Sequence, residues 1–222
     1  MLKKLAQYPA KLSMTLGNIF AYAEDALTLW ALKHRMNVIL REFGDATAPA
    51  DCFAFYRPSF GRRSGKGRAE FGEFDAIIVS SENIYLIEGK WDGFSRNKRA
   101  LITLRPEQKL RHHIFSWYIR HWNLKYANGW ERFTEEYADA FRSEFPDKKI
   151  APPESVLAKN IEYVLTTLKE YCSKSSYKPN IKNVLLFFYN GKRSGPPAIT
   201  GNGFTLVPID YSQEVKSNFI QL

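Results

Sequence analysis

FDAIIVSSENIYLIEGKW, residues 74–91, sets two runs of β-branched and large apolar residues around a short polar break, Ser80-Ser81-Glu82-Asn83. That pattern predicts a β-hairpin. With Ser81 and Glu82 at the tip, Val79 faces Ile84, Ile77 faces Leu86 and Asp75 faces Glu88. Directly opposite side chains share a face, with Cβ atoms about 4.5–5.5 Å apart. Lys90 follows Glu88 on that face by the period of two. Two carboxylates so placed repel each other, and a strand as apolar as Ile84-Tyr85-Leu86-Ile87 should not run straight into Glu88-Gly89-Lys90. Broken rules of this kind are expected at functional sites.

Outward from the hairpin, residues 18–35 carry Phe20, Ala23, Leu27, Trp30 and Ala31 at three- and four-residue spacing, which predicts an amphipathic helix. Residues 37–43 form a short run rich in Val, Ile and Leu, stopped by Gly44, and are expected to be a buried strand. Residues 57–72 combine glycines, a proline and several cations and read as a basic loop. Pro106 opens a helix in which Leu110, Ile114, Trp117 and His121 fall on one line. Helical stretches near 131–144 and 154–172 precede strand candidates at 183–189 and 203–209. The expectation is an α/β fold, a mixed central sheet flanked by helices.

A chain of 222 residues suits one domain, 1–222, with a core at about 18–125 and 181–210 and a helical insert at about 126–180. The net charge of +9 is the footprint of a phosphate-rich partner. Cys52 and Cys172 form neither a disulfide framework nor a zinc motif, and residues 1–20 have the pattern of neither a signal sequence nor a membrane span. A cytoplasmic protein with no membrane partner is expected.

Facing carboxylates call for a cation between them, and an all-oxygen set favours Mg²⁺ or Mn²⁺, ions that also accept phosphate oxygens. On this reading Asp75 and Glu88 hold the ion and the backbone carbonyl of Gly89 is a further ligand. Lys90 orients the attacking water or offsets charge on the phosphate.

Phe74-Asp75 followed, after twelve residues, by Glu88-Gly89-Lys90 resembles the D…E-x-K signature of the PD-(D/E)XK nuclease superfamily. Phe74 stands where the family's name has proline. The family's core order, αβββαβ, resembles the order read here from residue 18 to 189, interrupted by the insert before the fourth core strand. The resemblance implies a restriction-endonuclease-like core, Mg²⁺ (or Mn²⁺) as cofactor, and phosphodiester hydrolysis. It extends to the nuclease-related-domain and archaeal Holliday-junction-resolvase branches. It further implies roles for an acidic residue on the first helix, matched by Glu24 with Asp25 as the alternative, and for Gln108 after the E-x-K strand. Many members act as dimers, so a homodimer is one expectation.

Arg57, Arg62, Arg63, Lys66 and Arg68 in the basic loop, with Arg96, Lys98 and Arg99 after the E-x-K strand, are the candidate phosphate contacts. Phe60 in the same loop is a candidate for stacking on an unpaired base. His112 and His113 point about 100° apart on a helix and are set aside as packing residues together with His121. The function expected is a nuclease acting on DNA, with RNA left open. The alternatives are a nucleic-acid-binding module that does not cut and a protein-interaction subunit.

Overall fold

The computed structural model describes residues 19–61, 65–93, 101–102, 104–173, 179–193, 195–199, 203–216 and 219–222. The hairpin keeps the expected register as far as Ala76 opposite Ile87 and stops short of the expected Asp75–Glu88 pair, the Asp75 N–H going to the Ile87 carbonyl instead. Strand β5 (Ala76–Val79) pairs antiparallel with β6 (Asn83–Trp91), Val79 opposite Ile84 and Ile77 opposite Leu86. The N–H of Ser80 closes the turn on the carbonyl of Asn83 at 2.9 Å. On its other edge β6 pairs parallel with β8 (Asn180–Tyr189), which pairs parallel with β10 (Thr205–Asp210). At the opposite border β2 (Phe53–Tyr56) runs antiparallel to β5. The result is an α/β fold built on a five-stranded mixed sheet in the order β10-β8-β6-β5-β2.

Both faces of this sheet are covered, so its inner strands are apolar on both sides rather than alternating. One face, through Ile77, Val79, Ile84 and Leu86, joins a core with α3 (Pro106–His121), α4 (Trp130–Glu144) and α5 (Val156–Ser173). The other, through Ala76, Ile78, Tyr85 and Ile87, packs with α1 (Ala23–His34) and α2 (Met36–Glu42). Trp130, Phe133 and Phe141 of α4 lie in the same cluster as Trp117 and Tyr118 of α3. The helical segment expected as an insert thus packs into the hydrophobic cluster on that face. Short strands complete the description. β1 (Phe20–Tyr22), β12 (Phe219–Gln221) and β11 (Val215–Lys216) form one small sheet. β3 (Ser59–Phe60) pairs with β4 (Gly72–Glu73), and β7 (Leu101–Ile102) with β9 (Ala198–Ile199). Among the described residues no helix is long and apolar enough to cross a membrane.

Three expectations are corrected. Residues 37–43 are not a strand but lie in and just after helix α2, because Met36, Ile39, Leu40 and Phe43 repeat at helical spacing and turn one stripe toward the core. The border strand is instead β2, four residues with alternating burial that the sequence presents as an irregular stretch. Phe60 does not face a ligand: it is fully buried and stacks against Phe71 and Phe115.

Asp45, in the segment after α2, anchors the hairpin tip. Its Oδ2 accepts from Ser80 Oγ, from the Tyr85 hydroxyl and, at 2.9 Å, from Asn83 Nδ2, while Oδ1 accepts the N–H of Thr47. Burial alone would raise its pKa, but the donors from Ser80, Thr47, Tyr85 and Asn83 outweigh it and hold the carboxyl well below the usual range. A depressed native pKa contributes stability that is fully present above the unfolded value near 3.8, starts to decline below it, and is lost only as pH falls through the much lower folded value. Asp45→Ala should therefore lower the unfolding free energy by about 2–4 kcal/mol at neutral pH. In urea titrations the deficit should be constant above about pH 5, begin to shrink below about pH 4 and go on shrinking as the pH is lowered further.

Candidate active site

The site begins where β5 stops. Its ladder with β6 ends at Ala76, and the Asp75 N–H turns to the Ile87 carbonyl at 3.2 Å instead of continuing the register. One edge of β6 beyond Ile87 is thereby released from backbone pairing. In a strand the N–H and C=O of one residue point to the same edge, and those of Gly89 point here. The Gly89 N–H donates to Asp75 Oδ2 at 2.6 Å, and its carbonyl accepts Lys90 Nζ.

Gly89 is required on packing grounds. A Cβ there would lie 3.0 Å from Thr28 Oγ1, 3.4 Å from Glu24 Cγ and 3.5 Å from Asp75 Oδ2. Its absence lets α1 approach β6 closely and leaves a cradle flanked by two acidic side chains. Glu24 reaches from the first turn of α1 and stands 3.6 Å from Lys90 Nζ. Ala23, which starts α1, has φ 67°, and Arg57, at the end of β2, has φ 51°. Two left-handed non-glycine residues beside one cleft mark backbone strain of the kind that collects at functional sites.

On the opposite face α3 closes over Glu88, whose residue is 1% exposed. Gln108, Arg111 and His112, at helical spacing, turn toward it together. Gln108 Nε2 bonds Oε2 at 2.6 Å, Arg111 Nη2 bonds Oε1, and His112 Nε2 stands 3.3 Å from Oε1. Gln108 is itself aligned by the Arg105 N–H on its Oε1 at 3.1 Å, and His112 Nδ1 by Asn183 Oδ1 at 2.9 Å. Arg57 bridges Asp25 and Glu73 at the rim.

The carboxyls of this group are pushed apart in acidity. Burial, then repulsion from Glu88, raises Asp75 to about 7 against the opposing Gly89 N–H and Lys90. Burial also raises Glu24 despite the charge of Lys90. Burial acts on Glu88 in the same direction, but the His112 hydrogen bond and the Arg111 charge overcome it and hold that carboxyl below the usual range.

A cleft of about 250 Å³ is lined by Glu24, Asp75, Glu88, Lys90 and Gln108, the five side chains that the sequence reading assigned to catalysis or metal binding. Arg57, Arg105 and Arg111 line it too. Helical phase selects Glu24 over Asp25, which is exposed and paired with Arg57. Lys66 and Arg68 do not line the cleft. Lys66 pairs with Asp147 at 3.6 Å, and Arg68 bridges Lys148 on a strap held by Lys148 Nζ. Arg62, Arg63, Arg96, Lys98 and Arg99 lie outside the described residues. Arg111 was not singled out in the sequence, and His112 was set aside there as a packing residue. The signal was the three- and four-residue spacing from Gln108, obscured by weighing His112 with His113, which instead pairs with Glu144. His121 stacks on Trp117.

As donors, the carboxylates of Asp75 and Glu24 are hard oxygen groups of the kind divalent cations take, and Lys90 Nζ meets both the Gly89 carbonyl and, at 3.6 Å, the Glu24 carboxylate. Among the described residues no group of three or more His, Cys, Asp or Glu side chains is arranged to hold a metal.

The Asp75 carboxyl keeps its proton up to about pH 7 when folded but releases it near 3.8 when unfolded. The native state thus holds more protons across that window and loses stability as pH rises through it. Asp75→Asn removes this penalty, so in metal-free buffer its Tm should exceed that of the wild type by about 5 °C at pH 8, the gap closing below pH 4. In comparisons with known proteins, the sequence matches no family model, and no curated protein or solved structure matches it.

Proposed function

We propose that this chain is a metal-dependent phosphodiesterase, a nuclease acting on DNA, with a core of the PD-(D/E)XK type. The observation that carries the reading is convergence. Glu24 from α1, Asp75 from the end of β5, Glu88 and Lys90 from β6 and Gln108 from α3 were singled out in the sequence and meet in one cleft. The succession α1, β2, β5, β6, α3, β8 supports the αβββαβ core, with β2 rather than residues 37–43 as its first strand. The net charge of +9 and the three arginines at the cleft suit a polyanionic substrate.

Asp75 and Glu88, with Glu24 and the carbonyl of Gly89 as further ligands, are the groups that the sequence reading assigns to Mg²⁺ or Mn²⁺. When bound, the ion supplies charge to a phosphate oxygen and acidifies a water. Arg57 at the rim and Arg111 inside draw the phosphate into the cleft. Lys90, tethered to the Gly89 carbonyl and facing Glu24, places an ammonium where negative charge builds as water adds to phosphorus. One P–O ester bond breaks in that step, leaving a phosphomonoester and an alcohol.

A second reading, a nucleic-acid-binding module that does not cut, is favoured by the Glu88 carboxylate, both oxygens of which are already met by donors from α3. Supercoiled, single-stranded and branched DNA incubated with Mg²⁺, Mn²⁺ or EDTA separate the two. The nuclease reading expects cleavage confined to the metal-containing wild type, with Asp75→Ala slower by ~100-fold or more and DNA binding retained. DNA bound but left intact under every condition would replace it with the second reading.

A further inference from the structure

Glu88 is the acidic residue of the cleft least able to take a metal. Its Oε2 accepts from Gln108, and its Oε1 faces both Arg111 and His112. A dication at Oε1 would sit beside a guanidinium, a repulsion that low-dielectric surroundings magnify. At Asp75 and Glu24 an ion would have to displace one ammonium, that of Lys90, which meets the Gly89 carbonyl and stands 3.6 Å from Glu24, whereas at Glu88 it would have to displace Gln108, Arg111 and His112 together.

Arg111, by contrast, is built into place from four sides. Its Nη2 bonds Glu88 and its Nη1 bonds the Glu73 carbonyl. Its guanidinium carbon stands 5.4 Å from the centre of the Phe74 ring. A Cβ on Gly72, at φ 115°, would come within 2.9 Å of its Nη1, so the backbone gives way there for the guanidinium. The side chain is 13% exposed and lines the cleft, and its Nε is buried without a hydrogen-bond partner among the described residues. A guanidinium has five N–H donors in a rigid fork, so two anchoring bonds leave donors for a planar set of anionic oxygens.

We propose that Glu88 is a positioning residue rather than a ligand of the divalent ion. With Gln108 and His112 beside it, Glu88 holds Arg111 as a fixed cation that receives a phosphate of the substrate, and the ion falls to Asp75 and Glu24. The substrate half of this assignment rests on the phosphodiesterase reading. The division of labour differs from one in which both strand carboxylates share the ion, and the two make opposite predictions for Glu88.

The first measurement is Mn²⁺ binding to the DNA-free protein by calorimetry. Asp75→Asn should weaken binding more than about tenfold, while Glu88→Gln, which removes charge but keeps shape, should stay within about threefold of wild type. An equal loss in Glu88→Gln makes Glu88 a ligand and overturns the proposal. The second is binding of a fluorescent single-stranded oligonucleotide in EDTA across a salt series, which needs no metal. Arg111→Met should lower affinity and reduce the slope of log K against log salt by about 0.7, the contribution of one lost phosphate contact. Arg111→Lys should restore the slope but only part of the affinity, because it keeps the charge and loses the fork. Melting curves check that each variant is folded, and a purely structural Arg111 would shift those curves while leaving the slope unchanged, which would overturn its role. A wild type that binds no Mn²⁺ removes the metal reading together with the assignment of the ion, whereas the salt slope decides Arg111 regardless.

Discussion

The carboxylate of Asp75 takes up the ladder of β6 where the backbone of β5 abandons it. Had β5 continued in register, the Gly89 N–H and carbonyl would face a neighbouring strand and the sheet would be closed at this point. Because the ladder ends at Ala76, a side-chain oxygen satisfies the Gly89 N–H, the adjacent carbonyl meets Lys90, and a polar cleft opens at the edge of a strand buried everywhere but at Lys90. The unusual placement of charge after Ile84-Tyr85-Leu86-Ile87 follows from that one departure. So does the need for glycine at 89, since α1 closes the gap from the other side and would meet any Cβ there.

Burying several carboxyls in one small cleft is costly unless each is compensated, and the structure compensates them unequally. Glu88 receives an arginine, a histidine and an amide from α3 and is held ionised. Asp75 receives one backbone N–H and remains within the field of Glu88, so its acidity falls toward neutrality. Neighbouring titratable groups driven in opposite directions are one pattern that functional sites show, and ion pairs inside a fold show it as well. The strained backbone at Ala23 and Arg57 adds a second, independent departure from relaxed geometry at the same place.

Much of this was legible in the sequence for reasons that can be named. Two apolar runs around a polar break with a two-residue tip set the hairpin register, and register carried Asp75, Glu88 and Lys90 to one end of the sheet. Pro106 and the apolar line after it placed Gln108 in the first turn of α3. Where the pattern was short it failed. The run Val38-Ile39-Leu40 suits a strand or a helix by composition, and its helical state follows from how Met36, Ile39 and Leu40 meet the core. Phe60, read in a glycine- and arginine-rich loop as an exposed ring, is buried among Phe71, Phe74 and Phe115 because β3 and β4 pair and turn it inward.

The sequence by itself determined which residues lie on one strand face and which helices carry polar groups in their first turns, since both follow from local periodicity. Only the tertiary structure decided that Glu24 rather than Asp25 enters the cleft, that Arg111 and His112 close on Glu88, and that Lys66 and Arg68 turn to the 147–149 segment instead. Those choices depend on the rotation of α1 and α3 about their axes. That rotation is set by contacts between residues far apart in the chain, Thr28 and Glu24 against Gly89 and Phe115 against Phe60 and Phe74, which no local pattern encodes.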